Sequence, residues 1–114
     1  MLDATKKGQI REFLIGLAKK KSDTGYVKLN EKLKLGVDFS QETEMDKLYD
    51  VLDEISADSF KSDGVFLGLV IINKMRFRPS PRFYKGAEKI LGKKIEDTER
   101  FYEEEREKLY KAYA

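Results

Sequence analysis

Six cations stand close together in the second half of the chain: Lys74, Arg76, Arg78, Arg82, Lys85 and Lys89. Phe77, Phe83 and Tyr84 lie among them. Guanidinium groups can grip a phosphate with two parallel N–H donors, and aromatic rings can stack on unpaired bases. If residues 74–78 are extended, Lys74, Arg76 and Arg78 line one face and Met75 and Phe77 turn to the other. Arg82, Lys85 and Lys89 recur at helical spacing and can share a second face. The chemistry this predicts is non-enzymatic binding of nucleic-acid phosphate by residues 74–94. The structural alternative places Phe83 and Tyr84 in the core and leaves the cations as a solvated face.

Charge distribution sharpens that expectation. The 114 residues carry 39% Asp, Glu, Lys and Arg, well above the usual quarter, yet the net charge is only +2. Residues 74–94 sum to +7 and residues 40–64 to −6; residues 1–36 sum to +5 and residues 95–114 to −3. Such blocks imply a basic side and an acidic side, or neighbouring elements that neutralise each other.

Catalytic readings find little to build on. The chain has no Cys and no His, which removes a disulfide framework, thiolate chemistry and the commonest general base. A nuclease of the acid-x-lysine type needs a carboxylate two positions before Lys74, where Ile72 stands. A glycosidase needs two carboxylates in one cleft, and nothing ties Asp63 to Glu54. The glycines are scattered, not clustered before a Lys-Ser/Thr pair as a phosphate loop requires. No activated Lys or Ser nucleophile is visible. No catalytic residue, metal ligand or cofactor is therefore assigned. Residues 1–9 are polar with no apolar h-region after them, so the expectation is a cytoplasmic protein without a membrane partner.

The elements that must hold the cations follow from periodicity. Ile10, Phe13, Leu14, Leu17 and Ala18 form a helical stripe within residues 1–21. Tyr26–Leu29 reads as a short strand, and Asn30 as the cap of a short helix over 31–35, ended by Gly36. Residues 38–60 form a long acidic helix with Asp38 and Gln41, or Ser40, at its start, Met45, Leu48, Tyr49, Leu52 and Ile55 inside, and Ser56 at the margin of that stripe. Residues 65–72, VFLGLVII, are a nearly unbroken apolar run after the turn signal Asp63-Gly64; this predicts a strand buried on both faces. Ser80-Pro81 begins a helix that Gly92 ends. Residues 95–114 form a last helix whose stripe, including Leu109 and Tyr113, covers the core or forms a homodimer seam.

The segment from Leu48 to Phe83 resembles a group of small microbial proteins without an assigned activity. The likeness rests on the helix LYDVLDEIS, the apolar run, Asn73-Lys74, the following prolines and the Phe83-Tyr84 pair. This chain has Arg76-Phe77-Arg78 where that group has a glycine turn. The element order is also similar to the winged-helix part of alkyltransferase-like proteins, whose Pro-Cys/Trp-His-Arg centre is absent. The predicted architecture is therefore one domain over residues 1–114, α+β and mainly helical, winged-helix-like, with a small two- or three-stranded sheet. The alternative function is a protein-interaction or self-associating module.

Overall fold

The computed structural model describes residues 2–73 and 75–114. They form α1 (Ala4–Lys19), α2 (Tyr26–Leu33), α3 (Glu42–Asp63), a 3-10 helix (Leu67–Val70), α4 (Pro81–Leu91) and α5 (Thr98–Ala112). The α+β, winged-helix-like expectation is wrong: among the described residues no strand or sheet forms, and the only strand-like pairings are two isolated bridges, Thr24 with Ile71 and Asn73 with Arg78.

The apolar run 65–72 is the centre of the fold, but as a 3-10 turn and not a strand. Every residue from Val65 to Ile72 is buried, and Leu67 is completely so. α1, α3 and α5 pack around it. The physical question is where its backbone hydrogen bonds go, since buried N–H and C=O groups must be paired. Two serines of α3 supply the answer. The Ser59 hydroxyl donates to the Val65 carbonyl at 2.7 Å and accepts from the Leu67 N–H at 3.1 Å. The Ser56 hydroxyl accepts from the Gly68 N–H at 2.9 Å. Past the turn, Thr24 takes over, its N–H donating to Val70 and its carbonyl accepting from Ile72, both at 2.8 Å. Hydroxyls and one loop residue thus replace the neighbouring strand that a sheet would need. Periodicity cannot see this, because a short buried run looks alike in either state.

Gly68 lets the turn sit so close to α3. A Cβ there would stand 2.7 Å from Ser56 Oγ and 3.4 Å from the Phe83 ring. Gly86 does the same between α4 and α3, where a Cβ would collide with the Asp53 carboxylate.

The second predicted strand is also helix. In α2, Leu29 is fully buried, Tyr26 and Leu33 are half-buried, and Val27 and Lys28 face solvent: a period of 3.6, not 2. Asn30 caps nothing. Its side chain donates to the Val37 carbonyl at 3.0 Å and accepts from the Val37 N–H at 2.9 Å, closing the loop after Lys34. The expected start of the acidic helix is likewise displaced. The Asp38 carboxylate holds Ser40, 2.6 Å from its hydroxyl, and α3 begins beyond Gln41.

α1, α4 and α5 match their periodic stripes. Ile10, Leu14 and Ala18 are buried, as are Phe83, Ala87 and Leu109. Pro81 opens α4 and Gly92, at φ +69°, closes it. Ser80 precedes α4 without a side-chain capping bond; its hydroxyl lies 3.0 Å from that of Tyr26. The α5 stripe covers the chain's own core: Leu109 is fully buried, and Tyr113 packs against the core and donates to Asp63 at 2.9 Å.

Candidate interaction surface

The turn joining the buried run to α4 is closed by one residue, Asn73. Its N–H donates to the Arg78 carbonyl at 2.7 Å. Its carbonyl accepts from Arg76 at 3.1 Å and from Phe77 at 2.7 Å. Its side-chain oxygen accepts from Met75 at 2.9 Å, the self-capped geometry that Asn favours in turns. Phe77 completes the turn at φ +56°, a left-handed conformation that costs a residue with a Cβ about 1–2 kcal/mol. Among the described residues, Lys21 and Lys34 are the other non-glycine positions at positive φ, and both follow the ends of helices.

The consequence is a tip that turns apolar side chains outward. Met75 is 91% exposed and Phe77 66%; Val27 on α2, at 57%, is the third large apolar group left in solvent among the described residues. Residues 75–78 are not extended, so the expected sorting of cations outward and apolar groups inward fails for Met75 and Phe77. Between the tip and α2 lies an open groove of about 610 Å³, lined by Tyr26, Val27, Lys28, Glu31, Ile72 and Met75.

The six expected phosphate ligands do not behave as one set. Lys74 lies outside the described residues. Arg76 is exposed at the tip. Arg78 leans away from it and binds Glu99 through two nitrogens, at 2.7 and 3.2 Å, with its guanidinium 5.0 Å from the Tyr102 ring centre. The Glu99 hydrogen bond pushes the Arg78 pKa further up. Arg82 is held by acids of α3, 3.1 Å from Asp50 and 3.3 Å from Asp53, over the Tyr49 ring at 5.7 Å. Burial raises the pKa of Asp53, with Arg82 pulling it back down. Lys85 and Lys89 are exposed on α4 and enter no ion pair among the described residues. Among the described residues the −6 and +7 blocks thus meet in ion pairs only through Arg82, where α3 packs on α4.

A second hollow, of about 490 Å³, lies between the end of α4 and α5. Phe60, Leu91, Ile95 and Phe101 form its apolar side. The charges of α5 around it are engaged with each other: Arg100 with Glu104 at 3.4 Å and Lys108 with Glu105 at 2.9 Å. No group of three or more acids, His or Cys among the described residues could hold a metal ion. No helix among the described residues is long and apolar enough to cross a membrane.

Sequence reasoning passes over Val27 and the outward turn of Met75 and Phe77. One signal does point there: Asn73 at the exit of an apolar run is a turn former. A scan of protein-family models, a search of curated proteins and a search of solved structures each return no match for this chain.

Proposed function

We infer that this protein is a non-enzymatic interaction module, and that its contact surface is the Asn73–Arg78 turn together with the outer face of α2. One observation carries the reading. An aromatic residue occupies a left-handed position at the apex of a turn tied down by Asn73, and its ring points into water. Neither burial nor backbone preference supports a Phe there. An exposed aromatic beside Met and Arg is the composition of a binding hot spot. The α5 stripe does not support self-association through residues 95–114, because its apolar side chains pack within the chain. The test is a photoreactive residue placed at position 77 in the living host, with position 85 as a control. A discrete protein adduct formed from 77, absent from 85 and lost on Val27→Asp, is expected. Equal labelling from both positions argues against the reading.

A second reading, nucleic-acid binding through residues 74–94, has one observation in its favour: Phe77 is exposed beside Arg76, and Lys85 and Lys89 carry no ion pair among the described residues. Its test is a salt titration with oligothymidylate. Binding that weakens steeply with salt and falls with Arg76→Ala supports it; no binding at low salt removes it.

A further inference from the structure

We propose that the groove between α2 and the turn closed by Asn73 receives an acidic amphipathic segment of another protein, whose apolar side chains seat on Val27 and Met75 in the groove and reach beyond it to Phe77 on the turn. This rests on the interaction-module reading and adds the chemistry of the partner.

Lys28 lines the groove beside Val27 and Met75. Lys32 is one helical turn further on α2 and shares that outer face, and Arg76 stands between Met75 and Phe77. All three are exposed, and none enters an ion pair among the described residues. Arg78 and Arg82, by contrast, are already matched with Glu99, Asp50 and Asp53. Unmatched cations therefore stand beside the apolar surface, as Lys85 and Lys89 stand on α4. Glu31 is the one acid that lines the groove.

An occupant must then supply two things. It needs apolar side chains spaced to reach α2 and the tip together, and carboxylates outside them to meet Lys28, Lys32 and Arg76. An amphipathic helix with acids flanking its apolar stripe supplies both, in the helix-in-groove manner. Met75, unbranched and polarizable, fits apolar surfaces of varied shape. Two of the three exposed apolar groups, Val27 and Met75, offer no ring for a base to stack on, which favours a peptide over a nucleic-acid strand.

The experiment selects short peptides from a random displayed library on the full chain, with counter-selection against the Phe77→Gly variant. Enriched peptides are expected to carry Asp or Glu beside apolar residues at helical spacing. Their affinity should fall at least tenfold with Val27→Asp or Phe77→Gly. Replacing each peptide carboxylate by its amide should weaken binding about two- to fivefold, the range of exposed ion pairs. Enriched peptides that depend on the tip but are neutral or basic overturn the acidic partner and leave the interaction module standing. A selection that yields no tip-dependent peptide counts against both. Oligothymidylate and phosphatidylserine–phosphatidylcholine vesicles are run in parallel. Tip-dependent binding to either that exceeds the best peptide overturns the proposal in favour of that polyanion.

Discussion

The Phe77 N–H donates to the Asn73 carbonyl at 2.7 Å, and this bond holds Phe77 in left-handed backbone with its ring in solvent. The position is one where a glycine would rest without strain. Replacing Phe77 by glycine should therefore stabilise the chain by about 1 kcal/mol, or about 4 °C in Tm, because the ring contributes little burial. The same variant should lose partner binding. Lys21→Gly, also at positive φ but after the end of α1, should gain stability and keep binding. Melting curves and a binding assay on both variants check this; a Phe77→Gly variant that melts earlier assigns the ring a structural role.

Removing the Ser59 hydroxyl leaves the Leu67 N–H and the Val65 carbonyl without that partner in the interior. Ser59 itself is fully buried, so water cannot substitute. Ser59→Ala should cost about 2–3 kcal/mol, read as a lower urea midpoint with an unchanged slope.

A methyl group at position 68 would press on Ser56 Oγ and the Phe83 ring. Gly68→Ala should destabilise by about 1–3 kcal/mol. Combined with Ser56→Ala it should cost less than the two singles together, since the second change removes the obstructing atom. Chemical denaturation of the four proteins in that cycle measures the coupling. Strict additivity would place the obstruction elsewhere.

Burial pushes the phenols of Tyr26, Tyr84 and Tyr113 up to about 12, from an ordinary value of 10.0. The folded chain keeps these protons after the unfolded chain has lost them. Their contribution is complete below pH 10.0 and disappears as the pH climbs towards 12. Unfolding free energy should be flat up to that point and then decline. Tyr26→Phe should make the alkaline decline shallower while lowering stability at neutral pH, because Ser80 loses the hydroxyl it faces. Denaturant titrations across about pH 9–12 follow both effects.

What the sequence makes legible follows from what each signal measures. α1 and α4 are visible because their contacts are local: Leu14 follows Ile10 on one face, and Pro81 and Gly92 mark the ends of α4. Val65–Ile72 is misread because its state depends on the hydroxyls of Ser56 and Ser59, which lie on another element and whose bonds to the run leave no local pattern in the sequence. Tyr26–Leu29 is misread because four residues cannot separate a period of 2 from 3.6, and Leu33 has to be included. The cluster of cations is legible as composition, yet Asp50, Asp53 and Glu99 decide which of them remain free. The apolar tip is the least legible of all. Met75 and Phe77 look like core by type, and only the closure of the turn on Asn73 turns them outward.

The buried run has a consequence for how the protein must be kept in the cell. VFLGLVII is uncharged, apolar and rich in β-branched residues, the composition of self-pairing fibril segments. In the folded chain it meets no copy of itself, because α3 occupies its backbone with serine hydroxyls and α1 and α5 cover its sides. Any change that loosens α3 therefore releases a template for intermolecular β-pairing. The two serines thus guard against self-pairing as well as securing the fold, and a variant lacking both should aggregate more readily than either single variant.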